Sequence, residues 1–239
     1  MGGSILIAAR ACLKTGAGLT ACLTDRHHIT AGLVASPEVM FAEWTAENVQ
    51  QRLEWCDVIA FGPGVGMSAY AEQLAMHVNQ IDKPKVVDAG GLAILAKQPT
   101  ADEKRIITPH PGEAAVLLGI TVSQVESDRY LAVKSLQARY GGVVVLKGAG
   151  TLVCNGLATY VCSAGNAGMA SGGMGDALSG ILVALLAQGL DCTMAARVGV
   201  MLHSRSADIN AEQYGQCGLQ ATDVIDSLRK TIHLSRSLP

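Results

Sequence analysis

One stretch constrains the fold more than any other: residues 165–187, GNAGMASGGMGDALSGILVALLA. Glycines and other small residues run directly into an unbroken apolar helical pattern, so a helix begins where the backbone carries almost no side chain. The first turn of such a helix offers N–H groups with no intrahelical partner and gathers roughly half a positive charge. Gly172, Gly173 and Gly175 let an anion approach these amides without meeting a Cβ. Asp176 stands at the junction. It reads either as an ordinary helix cap or, with residues 172–175 as an anion hole, as a carboxylate set inside a phosphate cradle.

The rest of the chain supplies the scaffold that such a cradle needs. Apolar runs at 57–61, 85–88, 105–108 and 143–146 each end in a glycine- or proline-rich turn. They alternate with helical spacing at 45–55, 69–81, 92–97, 114–118 and 127–140. This alternation predicts an α/β domain with a mainly parallel sheet whose ligand edge lies at the strand carboxyl ends. The turns there are Gly62-Pro63-Gly64-Val65-Gly66, Pro109-His110-Pro111-Gly112-Glu113 and Lys147-Gly148-Ala149-Gly150-Thr151, with Asp88 ending its own strand. Asp88 could orient substrate, hold a magnesium-bound water or cap the next helix. His110, pinned between prolines, is either a packing or capping residue or a ligand. Lys147 could reach a phosphate with its ammonium, or the amides of 148–151 could do so.

Asn155-Gly156 predicts a hairpin joining β-prone runs at 151–154 and 157–162, and helices at 193–214 and 222–234 would cover the sheet. Ahead of all this, Ser4 is expected to cap a helix over 5–14 that Gly16 stops. A β-prone run at 19–24, a helix over 25–34 and an extended segment at 39–41 follow.

Composition narrows the partners. Charged residues make up 16% of the 239, against about a quarter in an average domain, while AVILMFWYC reach 49%. An apolar surface larger than a monomer hides is expected, hence a homo-oligomer, with a tetramer as the specific expectation. Net charge is −2 with no basic run, so no footprint for nucleic acid or anionic lipid is present. The apolar segment 181–187 is too short to span a bilayer and residues 1–13 lack a basic leader, so no membrane association is expected. Seven scattered cysteines, never spaced C-x-x-C, read as reduced core thiols of a cytoplasmic protein. There is no G-x-x-x-x-G-K-[ST], no G-x-G-x-x-G and no zinc spacing.

Taken together and in order, TPHPGEAAVLLG, VVLKGAGTLV and GNAGMASGGMGDALSG closely resemble the ADP-dependent NAD(P)H-hydrate dehydratases of the ribokinase-like superfamily. The similarity extends over nearly the whole chain from Gly2. It implies a single domain over 1–239, a three-layer α/β/α sandwich. Family members carry a strand and glycine turn ahead of this point, so a missing first strand and an unfilled sheet position are expected. The implied activity dehydrates hydrated NADH or NADPH, converting ADP to AMP and phosphate, with ATP used in eukaryotic relatives. Asp176 is then the base; Lys147, Gly148, Ala149, Gly150, Thr151 and Gly175 meet the nucleotide; Gly172, Gly173, Met174 and Gly175 hold the moving phosphoryl group. Gly64, Gly66, His110, Asn166 and Asp176 face the hydrated dinucleotide, Mg2+ bridges phosphates, and an epimerase is an expected partner. Relatives often carry a second Asp where this chain has Gly90, so no metal ligand is assigned. The helix dipole is expected to favour the Asp176 carboxylate and make it a weak base. The alternatives are a ribokinase-like vitamin or hydroxymethylpyrimidine kinase, which keeps phosphate on its product, and an inactive nucleotide-binding fragment.

Overall fold

Four short apolar runs lie side by side in parallel in the computed structural model, which describes residues 2–236. They are β3 (Ile59–Phe61), β4 (Lys85–Val87), β5 (Arg105–Ile107) and β6 (Val143–Leu146), and antiparallel β7 (Leu152–Cys154) and β8 (Thr159–Val161) complete the sheet in that order. Strands β4 to β7 are buried throughout, as a parallel sheet covered by helices on both faces requires. The two-residue period of β6 divides its side chains between two cores. Val143 and Val145 join Ile181, Leu182 and Val224 of α9 (Met174–Ala187) and α11 (Ala221–Arg236), and α10 (Cys192–Tyr214) packs into the same layer. Val144 and Leu146 meet Leu92, Leu117, Leu136 and Tyr140 of α5 (Gly90–Lys97), α6 (Pro111–Leu118) and α8 (Arg129–Tyr140). The result is a three-layer α/β/α sandwich with a mainly parallel central sheet.

Upstream, α1 (Gly2–Thr15) packs on α9 closely enough that a Cβ on Gly180 would sit 2.1 Å from the Ala8 carbonyl oxygen. This contact moves the start of the helix. Ser4 is no cap: it lies within the first turn of α1, buried, because burying Ala8, Ala11 and Cys12 orders the whole segment. The helix expected over 127–140 is α8, which starts at Arg129 because Asp128 turns back to cap the Leu131 amide, and a further short helix not expected from the sequence, α7 (Val122–Ser127), precedes it.

After α1 come β1 (Ala21–Thr24), α2 (Arg26–Ala35), β2 (Met40–Glu43), α3 (Ala46–Trp55) and, beyond β3, α4 (Ala69–Gln80). Strands β1 and β2 pair only with each other, forming a separate two-stranded parallel sheet. Between β1 and β3 lies a cavity of about 900 Å³, with Cys22, Leu23, Ile59 and Phe61 on its walls and Ala8 and Val183 among the helical residues around it. All seven cysteines are free thiols, but Cys217 is exposed and Cys56 and Cys192 are half-buried, so only four belong to the core. Among the described residues no helix is long and apolar enough to cross a membrane.

Candidate active site

The carboxyl ends of β4, β5 and β6 bring three separate turns to the N-terminus of α9. Asp88, just past β4, is 2% exposed and caps nothing, since Ala89 precedes α5 without a side-chain bond. Its Oδ1 accepts from Lys147 Nζ at 2.8 Å and its Oδ2 from Ser179 Oγ of α9 at 2.8 Å. Burial opposes its charge, but the ammonium and these hydrogen bonds outweigh burial and hold its pKa below the ordinary carboxylate value.

Lys147 follows β6 and is tied by its backbone N–H to the Pro109 carbonyl at 2.9 Å, which joins the second turn to the third. Its ammonium also lies 3.6 Å from Glu113 Oε2. Glu113 completes a capping box with His110: Oε2 accepts the His110 N–H at 2.8 Å, and His110 Nδ1 accepts from the amides of Gly112 and Glu113 at 3.0 and 3.3 Å. With Nδ1 serving as acceptor, the ring proton sits on Nε2. The imidazole is 57% exposed, so His110 is both a cap and an accessible donor at the ligand edge.

Helix α9 begins behind Gly173, whose φ of 87° is left-handed, and Asp176 is its third residue, not its cap. Residues 172–176 are not sealed by packing: Gly172 is exposed and Gly173, Gly175 and Asp176 are half-buried, while Met174 turns into the core. A Cβ on Gly175 would come 3.2 Å from Lys147 Nζ and 3.6 Å from Asp88 Oδ2, so the ammonium rests against the first turn of the helix. The pKa of Asp176 is raised, contrary to the expectation from the dipole. Burial is the main cause; the Ser4 hydroxyl pulls it down, the Asp88 charge pushes it up, and Lys147 pulls it down again. Desolvation under α1 outweighs the helix dipole, and Asp176 becomes a stronger base than expected. His203 of α10, buried near Lys147 and in contact with the Met174 backbone, is pushed by burial to a pKa of about 4, and its Nε2 has no partner.

The loop 147–151 is braced by a residue that sequence reasoning missed. Arg129, the first residue of α8, donates to the carbonyls of Leu146, Lys147 and Ala149 at 3.3, 3.2 and 2.5 Å. Trans peptides then turn the N–H groups of Gly148 and Gly150 to the opposite side, and both glycines are exposed. Thr151 Oγ closes the loop on the Gly148 carbonyl at 3.0 Å. A signal was present: a cation in the first turn of a helix opposes the dipole and needs a compensating partner.

The remaining candidates lie around this cluster. Gly64 and Gly66 line one end of the 900 Å³ cavity, on the same sheet edge as Asp88, whose N–H bonds the Phe61 carbonyl at 3.1 Å. None of Asp176, Lys147, His110 or residues 172–175 lines that cavity. The Asn166 amide is engaged at both ends, accepting from Gly168 N and donating to Asp208 Oδ1, each at 3.0 Å. Asp208 also takes the Gly165 N–H at 2.9 Å, so these two residues fasten the segment leading to α9 onto α10. Neither bond of Asn166 reaches Asp176 or Lys147. Among the described residues no three His, Cys, Asp or Glu gather into a metal site. A second set of buried charges, Lys85 with Asp102 at 2.6 Å and Arg105 on the Tyr140 carbonyl at 2.7 Å, sits at the opposite end of the strands and belongs to the scaffold.

The chain is 51% identical over 234 residues to a bifunctional NAD(P)H-hydrate repair enzyme of Vibrio cholerae, covering 98% of this chain and 47% of that protein. It is 37% identical over 244 residues to an ADP-dependent (S)-NAD(P)H-hydrate dehydratase of Neisseria meningitidis, covering 96% and 80%. The chain spans about half the length of the bifunctional relatives it matches. A Bacillus subtilis ADP/ATP-dependent NAD(P)H-hydrate dehydratase co-crystallised with ATP/Mg2+ and soaked with CoA superposes with a TM-score of 0.88 at 26% identity, over 98% of this chain and 87% of that one. The fold is thus ribokinase-like, and since the family model described as NAD(P)H-hydrate dehydratase matches residues 1–230, the chain belongs to the NAD(P)H-hydrate dehydratase family.

Proposed function

We propose that residues 1–239 form one catalytic unit that dehydrates the hydrated forms of NADH and NADPH at the expense of a nucleotide, ADP being converted to AMP and phosphate. The observation that carries this reading is Asp176, a base of raised pKa three residues into a helix whose first turn is open and faces the Lys147 ammonium. Hydroxide is a poor leaving group from the hydrated ring. Asp176 takes the proton of the ring hydroxyl as that oxygen attacks the terminal phosphorus of ADP; the amides at 172–175 stabilise the charge on the moving phosphoryl group. The ring nitrogen then expels phosphate, with loss of the neighbouring ring proton, and the dihydropyridine is restored.

The Gly148 and Gly150 amides and Thr151, held by Arg129, take the phosphate and ribose side of the nucleotide, while His110 Nε2 and the turn at 62–66 face the hydrated dinucleotide. Asn166 supports the segment ahead of α9. Since no carboxylate cluster forms among the described residues, Mg2+ would be carried by the nucleotide phosphates and not caged by the chain. An epimerase that interconverts the two ring epimers would feed such an enzyme. Exposed apolar residues including Val116, Leu131 and Tyr214 are consistent with a homo-oligomer, and a tetramer is proposed.

The deciding experiment incubates the protein with hydrated NADH and either ADP or ATP and follows recovery of the reduced-ring absorbance. Repaired dinucleotide with free phosphate supports the dehydratase; a phosphorylated small-molecule product would instead make it a kinase. Asp176→Asn should lower turnover by about 10²–10⁴ with nucleotide affinity little changed. Near-normal turnover removes Asp176 from the mechanism.

A further inference from the structure

The ammonium of Lys147 does not float free at the mouth of α9. It is gripped from below by a carboxylate that nothing in the proposed reaction uses: Asp88 Oδ1 at 2.8 Å, with Oδ2 fastened to Ser179 one turn beyond Asp176 on the same helix. Lys147 is 19% exposed and Asp88 2%, so the ion pair is inside the protein and resists screening. On its outer side the ammonium has only the more distant Glu113 at 3.6 Å, itself held by the His110 capping box. Gly175 leaves the space into which the ammonium fits. Lys147 is therefore suspended between β4 and α9 in one position, 59 residues from its principal partner in sequence.

We propose that Asp88 is a positioning residue that acts through Lys147. It fixes the ammonium against the first turn of α9, where charge develops during transfer, and keeps it from collapsing onto Asp176. The inference rests on the function proposed above, but its binding consequences do not require turnover. A buried carboxylate near an anion site also has a cost: it repels the bound phosphates. Removing its charge while keeping its shape should therefore strengthen nucleotide binding and weaken catalysis, a combination that general damage to the fold does not produce.

The test is Asp88→Asn, Lys147→Met and the double variant, each assayed in the full chain for kcat and, by calorimetry, for ADP affinity. In Asp88→Asn, kcat should fall by about 10–100-fold, the usual cost of misplacing a catalytic group by an ångström. ADP should bind on the order of 3–10-fold more tightly as a negative charge leaves the site. In the Lys147→Met background the same substitution should change both quantities by less than about 3-fold, because the residue through which it acts is gone. Equal effects in both backgrounds, or ADP affinity that falls with kcat, overturn the proposal. Should Asp88→Asn not fold, Ser179→Ala loosens the same carboxylate and should lower kcat by about 3–10-fold at unchanged ADP affinity; unchanged kcat then overturns it. If the wild-type protein turns over hydrated NADH with neither nucleotide, the functional reading fails, while the ADP affinities of the four proteins still decide the role of Asp88.

Discussion

Replacing Arg129 by methionine keeps the apolar stem of the side chain and removes the guanidinium that holds three carbonyls of the loop, those of Leu146, Lys147 and Ala149. A hydrogen bond to a charged group contributes about 1.5–3 kcal/mol, but the Ala149 carbonyl is exposed and water can replace its partner. Counting mainly the two half-buried carbonyls and discounting for partial solvation, the ordered loop loses about 2 kcal/mol relative to its disordered forms. A ligand that needs the ordered loop must then supply that energy, so ADP affinity should weaken by about 10–30-fold. Asp176 and the α9 amides lie on another element, so kcat at saturating ADP should change by less than about 3-fold. Isothermal titration with ADP and steady-state kinetics measure the two effects separately. Gly148→Ala attacks the same brace from the other side: φ there is 139°, and the new Cβ would lie 2.9 Å from Arg129 Nη2. It should reproduce the affinity loss. Unchanged ADP affinity in Arg129→Met, or a loss confined to kcat, refutes the reasoning that this loop is a nucleotide clamp braced by Arg129.

Two further outcomes follow from the buried ionisable groups. His203 is neutral in the folded protein down to pH about 4, whereas an unfolded histidine takes its proton near 6.5. The unfolded state therefore binds more protons in that window, and stability should fall as pH drops from 6.5 to 4, by about 1.4 kcal/mol per unit and about 3 kcal/mol in all. Urea titrations across this range should show the slope in the wild type and not in His203→Gln; equal slopes refute the assignment. The raised pKa of Asp176 places the acidic limb of kcat/KM above the range of a solvent-exposed aspartate. Because the Asp88 charge pushes Asp176 up, Asp88→Asn should move that limb to lower pH, and a limb that stays in place or moves upward contradicts the coupling.

Much of the architecture is carried by short-range information and is therefore legible in the sequence. Apolar runs ending at Phe61, Val87, Ile107 and Leu146, each followed by a turn, announce buried parallel strands, and Thr45 caps its helix through a contact three residues away. The turns at 147–151 and 172–176 were legible because glycine-rich backbone next to a strand or helix end has few other uses. What lay beyond reach depends on contacts between distant residues. Ser4 looks like a cap until α1 packs on α9 and turns its hydroxyl toward Asp176. Asp88 could have been a cap or a metal ligand until the sheet order put Lys147 and Ser179 against its two oxygens. Arg129 became a brace only when α8 met the end of β6. The proton affinity of Asp176 reversed sign for the same reason. Propensity and capping act within a turn or two of the chain, whereas desolvation and charge pairing are summed over whatever folding brings within a few ångströms, and only the tertiary structure sets that sum.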